Sequence, residues 1–308
     1  MIFLKPKFWK KKGLLALLIW PLSILYFLAI TIKKKCSYSK KFGISVICVG
    51  NIYIGGTGKT PLSIKIAKNL ISRKKKVAII KKYYPEHLDE HKLIKEKIKS
   101  LIINKNRTKA ILSSKNKGYN VAILDDGFQD HSIYKDLSIL CFNNKQLIGN
   151  GMLFPSGPLR ENISSIKRAK IIVINGRKNK NFEKNIHKIS NKISIFYSQY
   201  IPENVSDLRN KKLLAFAGIG NPENFFDLLT SYNLNVKRKI SYPDHYNFSK
   251  HQIKKIINDA KKNNLKVVTT EKDFHRIKGY GFKKINYLKL NLKIHNENKL
   301  MNKILKYL

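Results

Sequence analysis

Hydrophobic and polar residues come in alternating blocks along this chain. Short apolar runs occupy 44–49, 77–80, 121–124, 138–142 and 171–174. They are rich in Val, Ile and Leu and bounded by polar residues, as expected of strands buried on both faces. Polar or helical segments separate them. After the first run, Leu62, Ile66 and Leu70 recur at i, i+4 beside Ala67 and Ile71, the stripe of a helix packed on a sheet. Alternating strand and helix predicts an α/β fold: a parallel sheet flanked by helices, with right-handed crossovers. A second set starts near Lys211, with strand-like runs at 213–217, 266–269 and 285–290 and helical spacing over 223–229 and 250–262. Asn221-Pro222-Glu223 opens a helix with a capping residue, Pro at the first helical position and an early acid. The Asn-rich stretch 177–192 predicts an exposed helix or loop. The expected organisation is an N-terminal segment over 1–35, a main α/β domain over 36–205 and a smaller C-terminal α/β domain over 206–308 that completes the site.

The N-terminal segment breaks this rhythm. Residues 13–32 carry no charge, with Lys10, Lys11 and Lys12 before them and Lys33, Lys34 and Lys35 after. Twenty apolar residues form a helix of roughly 30 Å, the thickness of a bilayer core. A spanning helix, a helix lying in one leaflet and a buried core helix all compete for this segment. Pro21 would kink a spanning helix, and the equal flanks give no inside–outside asymmetry. The preferred expectation is a membrane-associated helix at one face. A cleaved leader is disfavoured, since no small-residue cleavage site follows.

The most specific chemistry lies between the first strand and the first helix, in Asn51-Ile52-Tyr53-Ile54-Gly55-Gly56-Thr57-Gly58-Lys59-Thr60. Strand, glycine loop, Lys-Thr and helix together make a phosphate-binding loop. Glycines let backbone N–H groups curl around a phosphate, and the helix N-terminus adds a favourable dipole. Lys59 is placed to reach the β- and γ-phosphates and Thr60 to hold Mg²⁺. Tyr53, Ile54, Gly55, Gly56, Thr57, Gly58, Lys59 and Thr60 are the candidate ATP contacts. The general motif has a glycine five residues before Gly58; here that position is Tyr53, and Gly55 and Gly56 supply the freedom. The fold class is therefore expected to be P-loop NTPase-like.

Downstream, Val121-Ala122-Ile123-Leu124 runs into Asp125-Asp126-Gly127. Acids at the end of a buried strand, beyond a phosphate loop, are the usual magnesium-holding carboxylates. One of Asp125 and Asp126 is expected to bind Mg²⁺ directly and the other through water or neighbours; the sequence leaves open which. The stretch 149–161 is dense in Gly and Pro and carries Arg160, whose planar fork suits phosphate, or equally a structural acid. Asp244-His245 and Asp89-Glu90 are weaker candidates, since a lone His and a surface acid pair are usually structural.

Composition adds two constraints. Lys and Arg total 62 against 19 acids, a net charge of +43. That favours anionic partners. The lysines are nevertheless spread along the whole chain beside Asn and Ile, as a genome-wide bias would leave them. No nucleic-acid motif or aromatic stacking platform accompanies the charge, so no specific nucleic acid partner is expected. Cys36, Cys48 and Cys141 are isolated; Cys48 and Cys141 fall in apolar runs and read as buried thiols rather than zinc ligands or disulfides.

These segments, in this order, resemble the tetraacyldisaccharide 4′-kinases, the lipid A 4′-kinase family, over nearly the whole chain. Pro21-Leu22-Ser23-Ile24-Leu25-Tyr26 is similar to the family's membrane-associated N-terminal helix. Val49 to Pro61 is similar to its nucleotide loop, which also lacks the first glycine. Asp125-Asp126-Gly127-Phe128-Gln129, Gly149-Asn150-Gly151, Pro155-Ser156-Gly157-Pro158-Leu159-Arg160-Glu161, Ala217-Gly218-Ile219-Gly220-Asn221-Pro222, Asp244-His245 and Thr270-Glu271-Lys272-Asp273 resemble further family segments. The resemblance implies transfer of the ATP γ-phosphoryl group to the 4′-hydroxyl of a tetraacylated glucosamine disaccharide 1-phosphate. It implies ATP and Mg²⁺ as cofactors and Arg160, Glu161 and Asn150 as substrate contacts. It further implies an Asp–His pair as base, matched here by Asp89 and His245, with Lys59 as a catalytic cation. Leu88 and His91 replace a Gly and a Pro around that acid, which leaves Glu90 as the next candidate. Lys81-Lys82-Tyr83-Tyr84-Pro85 replaces a family Ser-Arg-Gly-Tyr-Gly element. Asp89 and His245 come from different halves of the chain, so closure of two domains is expected to bring them together. The expected setting is the cytoplasmic face of the inner membrane, among its lipids, with the chain a monomer. The rival function is another membrane-associated P-loop ATPase.

Overall fold

The computed structural model describes residues 6–85, 88–244 and 246–308; the side chain of Asp89 also lies outside the described set. Its contacts divide these residues into two units, each discontinuous in sequence. One holds the described residues of 6–83, 97–199 and 292–308; the other holds those of 84–96 and 200–291.

The larger unit begins with two short helices, α1 (Leu14–Leu18) and α2 (Trp20–Lys35). Its strands are β1 (Ser45–Gly50), β2 (Val77–Lys82), β3 (Leu101–Asn104), β4 (Val121–Asp125), β5 (Leu137–Asn143), β6 (Ile171–Asn175) and β7 (Ser194–Pro202). Each neighbouring pair among these seven runs parallel. With β12 (Leu290–Ile294) at one edge, the sheet order is β12-β7-β6-β5-β1-β4-β2-β3. The strand following β1 in sequence is not its neighbour: β4 lies between β1 and β2, and β5 pairs on the other side of β1. Ligand sites in open α/β sheets form at such reversals, at the carboxyl ends of the strands.

Helix α3 (Lys59–Ser72) lies against β1, β2 and β4. Leu62, Ile66 and Leu70, the predicted stripe, are fully buried. On the other face Val46 and Cys48 pack with Ala110 and Ile111 of α5 (Arg107–Asn116). Burial of about a hundred Å² or more of apolar surface per such side chain contributes roughly 25 cal/mol per Å². The stretch 177–192 holds α6 (Lys180–Ile189), whose Phe182 and Ile186 are buried, so it is a docked helix with one polar face. Cys48 and Cys141 are buried, and burial pushes the Cys48 thiol up to about 11.

The smaller unit has a four-stranded sheet of order β11-β10-β8-β9, built from β8 (Leu213–Ala217), β9 (Val236–Ser241), β10 (Lys266–Thr270) and β11 (Ile285–Leu288), all parallel. Helices α7 (Pro222–Ser231), α8 (Lys250–Lys262) and α9 (Glu271–Ile277) accompany it. The predicted run 285–290 splits at Lys289: β11 stays in this sheet and β12 joins the larger one, followed by α10 (Glu297–Leu305). Helix α4 (Leu88–Lys97), which carries Asp89 and Glu90, belongs through Glu96 to this same unit. Helix α4 through Glu96 and the segment 242–244 share this compact unit; the residues on which the expected closure bears, His245 and the side chain of Asp89, lie outside the described residues.

No helix among the described residues is long and apolar enough to cross a membrane. The uncharged run is interrupted at Ile19, ahead of Trp20-Pro21, so its two helices are too short individually.

Candidate active site

The phosphate loop leaves β1 at Gly50 and enters α3 at Lys59. Gly55 and Gly58 hold positive φ angles of 114° and 94°, a backbone open to glycine and strained for other residues. The buried Asn51 ties the loop from within: its Nδ2 donates to Tyr53 O (2.6 Å), Thr57 Oγ1 (3.0 Å) and Gly55 O (3.3 Å). Asn51 Oδ1 is buried and has no hydrogen-bond partner among the described residues. Two backbone bonds, Ile54 N to Pro158 O (2.8 Å) and Arg160 N to Ile52 O (2.7 Å), join the loop to the 149–161 segment. Tyr53 is buried and forms a bridge with Leu159, so its side chain supports the loop.

The two acids at the end of β4 have different surroundings. Asp125 is buried. Its Oδ2 accepts from Thr60 Oγ1 (2.9 Å) and pairs with Lys81 Nζ (2.5 Å), and its Oδ1 accepts from Ser63 Oγ (3.1 Å). Asp126 takes a positive φ of 61° and turns outward. It meets Arg160 Nη1 at 3.0 and 3.1 Å and lies 3.8 Å from Lys59 Nζ. Burial alone would raise the Asp126 pKa; Lys59, Arg160 and Lys81 outweigh it and hold the carboxyl well below the usual range. Arg107 Nη2 donates to the Asp126 carbonyl (2.6 Å), fixing the turn.

This donor set fits a hard divalent cation with phosphate. Mg²⁺ is usually held by one or two carboxylates and hydroxyls, with phosphate oxygens and water completing the octahedron. Thr60 Oγ1 and Asp125 already touch, and Asp126 sits on the next residue. A Cβ added at Gly56 meets nothing within 4 Å, so the loop has open space beside it.

The remaining predicted residues divide between this cluster and its supports. Arg160 joins the cluster and also donates to Gln129 Oε1 (3.4 Å). Glu161 is buried, paired with Arg168 (2.7 Å) and accepting from Gln129 Nε2 (3.1 Å). Asn150 is turned into its own loop, donating to Phe8 O (3.1 Å) and Ser156 O (2.9 Å) and accepting from Met152 N (3.0 Å). Its amide thus shapes the loop that carries Arg160.

The N-terminal helices grip the same loop through a few polar contacts. Ser23 Oγ bonds Leu153 O (3.0 Å) and Ser156 Oγ (2.8 Å), Tyr26 OH donates to Arg160 O (3.0 Å), and Trp9 Nε1 donates to Pro155 O (2.9 Å). Ala16 and Ser23 are buried, while Leu14, Leu15, Leu17, Leu18, Trp20 and Leu25 are more than half exposed.

In the smaller unit, the end of β8 and the start of α9 meet around Asp273. Its carboxylate accepts from Gly218 N (2.9 Å) and Thr270 Oγ1 (2.7 Å) and pairs with Arg276 (2.6 Å). Burial pushes the Asp273 carboxyl up despite Arg276. Lys272 Nζ lies 3.0 Å from Glu90 Oε1 and 3.5 Å from Asp244 Oδ1. His245 and the side chain of Asp89 lie outside the described residues, though their neighbours Asp244 and Glu90 share this lysine.

Sequence reasoning named Lys81 and Gln129 only within family-like segments, gave them no role, and did not name Ser63 or Arg107. Lys81 had a legible signal: a lysine ending an apolar strand run, on the edge of the sheet where α/β sites form. Lys81 pairs with the buried Asp125 carboxylate from that strand end.

Comparison with known proteins follows the same lines. Residues 15–308 match the Tetraacyldisaccharide-1-P 4′-kinase family. A Tetraacyldisaccharide 4′-kinase of Pelagibacter ubique is 42% identical over 307 residues, covering 98% of this chain and 97% of that protein. One from Rickettsia bellii is 32% identical over 321 residues, covering 98% of each chain. The crystal structure of LpxK from Aquifex aeolicus in complex with ATP matches with a TM-score of 0.70 and 25% identity, covering 96% of this chain and 99% of that one. Agreement over the full length, in fold and in sequence, places this chain in the tetraacyldisaccharide-1-P 4′-kinase family.

Proposed function

We propose that this chain transfers the γ-phosphoryl group of ATP to the 4′-hydroxyl of a tetraacyldisaccharide 1-phosphate, a step of lipid A biosynthesis. The observation that carries the reading is the gathering of Lys59, Thr60, Asp125, Asp126 and Arg160 at the carboxyl ends of β1 and β4, in a member of this family. Backbone N–H groups of 55–60 would cradle the ATP phosphates, since Ile54 N is committed to Pro158 O, and Lys59 would reach their terminal oxygens. Thr60, Asp125 and Asp126 would hold Mg²⁺, with Asp125 bound to the Thr60 hydroxyl and Asp126 nearer the cations Lys59 and Arg160. When bound, Mg²⁺ offsets charge on the phosphates. Arg160 contributes a second fixed positive charge where negative charge spreads in the transition state. The 4′-hydroxyl gives its proton to the Asp89–His245 pair as its oxygen attacks phosphorus and the bond to the ADP oxygen breaks. Glu161 and Asn150 shape the 149–161 loop against which the acceptor sugar would rest.

The exposed apolar residues of α1 and α2, between exposed lysine triplets, suit a helix pair lying in the headgroup layer of an anionic membrane. We place the chain as a peripheral or monotopic protein on the cytoplasmic face of the inner membrane, where an acylated acceptor resides, and acting as a monomer.

The test is labelled ATP with a tetraacyldisaccharide 1-phosphate acceptor, followed chromatographically. Transfer should need acceptor, and Lys59→Ala should abolish it while leaving the melting temperature unchanged. Acceptor-independent ATP turnover at the full rate would instead favour a transport or assembly ATPase.

A further inference from the structure

Lys272 lies on the first turn of α9, and that turn is fixed from several sides. Thr270 Oγ1 accepts from Asp273 N (3.1 Å) as the helix cap, Asp273 accepts from Gly218 N, and Arg276 donates to Gly218 O (2.6 Å). From this base the Lys272 ammonium meets two carboxylates carried by segments far apart in sequence: Glu90 on α4 at 3.0 Å and Asp244 at 3.5 Å. All three side chains are less than a third exposed, with 18% for Lys272 and Glu90 and 27% for Asp244. An isolated surface ion pair contributes little. A sheltered lysine that joins two acids from a rigid helix start constrains geometry. Glu90 follows Asp89, and Asp244 precedes His245.

We propose that Lys272 is a positioning residue for phosphoryl transfer. Its ammonium ties α4 to the 242–244 turn, and so holds together the two segments next to which Asp89 and His245 are carried. The inference rests on the reading of Asp89 and His245 as the base. Misplacing a reacting group by about 1 Å costs on the order of 100-fold in rate, so loss of the tie should appear in turnover.

The experiment uses the full chain with ATP and tetraacyldisaccharide 1-phosphate, reading kcat and KM separately, with nucleotide affinity and melting temperature as controls. Lys272→Met should lower kcat at least tenfold, with KM for the acceptor within twofold of the parent and ATP affinity unchanged. Lys272→Arg should restore at least a third of kcat. In a His245→Ala background, Lys272→Met should cost less than a further twofold, because the group it positions is already gone. Should Lys272→Met fail to fold, Asp244→Asn breaks the same tie from its other end and should lower kcat with KM unchanged. A kcat within threefold of the parent overturns the proposal. A raised acceptor KM at unchanged kcat overturns it in favour of a substrate ligand. An undiminished loss in the His245→Ala background overturns it in favour of an independent role. If Asp89→Ala and His245→Ala are themselves near parental, the base assignment falls and takes the positioning role with it. A failure of Lys272→Met alone leaves the base assignment standing.

Discussion

Replacing Asp125 by Asn keeps the shape of the side chain and removes its charge. The carboxylate is buried and holds three donors: Thr60 at 2.9 Å, Ser63 at 3.1 Å and the Lys81 ammonium at 2.5 Å. The amide oxygen of Asn can still accept from one hydroxyl, but its NH₂ would face a second donor. The charge-assisted bond to Lys81 is worth about 1.5–3 kcal/mol. Breaking a buried pair from one side typically costs about 3–5 kcal/mol, because the remaining charge stays in a dry site. Asp125→Asn should therefore destabilise the larger unit by about 3–5 kcal/mol, or roughly 6–20 °C in Tm at about 2–4 °C per kcal/mol. The assay is urea and thermal unfolding without nucleotide or Mg²⁺, since a bound ligand would add its own stabilisation. Adding Lys81→Met removes the stranded ammonium, so the double variant should be at least about 1 kcal/mol more stable than Asp125→Asn alone. A loss below about 1 kcal/mol for Asp125→Asn, or strictly additive losses in the pair, would refute the buried ion pair as a structural element.

Two further outcomes follow from neighbouring contacts. Ser23→Ala removes a buried hydroxyl bonded to Leu153 O and Ser156 Oγ and orphans the Ser156 N–H, at about 1–3 kcal/mol; limited proteolysis should then cut the N-terminal helices faster while nucleotide affinity stays constant, and unchanged cleavage would mean these contacts do not hold the helices. Asp126 has a lowered native pKa, so it stabilises fully above the ordinary carboxylate range, and that contribution fades as pH falls toward the native value; the stability difference between the parent and Asp126→Asn should be flat above about pH 5 and shrink below about pH 4, and a difference independent of pH would contradict the assigned ionisation.

Local pattern alone fixed much of this protein. The five apolar runs between 44 and 174 are all strands of the larger sheet and pair in parallel, because a strand covered on both faces must be apolar throughout. The helix over 250–262 was legible to the residue, with a Ser249–Gln252 capping box at its start. The phosphate loop and the Asp125-Asp126 turn were legible because their chemistry is contiguous in sequence. Strands β3, β7 and β9 were not, since each is partly exposed and carries polar residues that blur its period. Only the tertiary structure decided which acid does what. Asp125 turns inward to Thr60, Ser63 and Lys81, while the positive φ at Asp126 turns the next carboxylate toward Arg160, and no local pattern encodes that divergence. Tertiary structure also split 285–290 between two sheets and set α4 in the smaller unit, because those choices depend on which distant surfaces remain to be covered. The role of Ser23 follows the same logic: a serine in an apolar helix reads as an interruption until the loop it holds, 130 residues away, is in place.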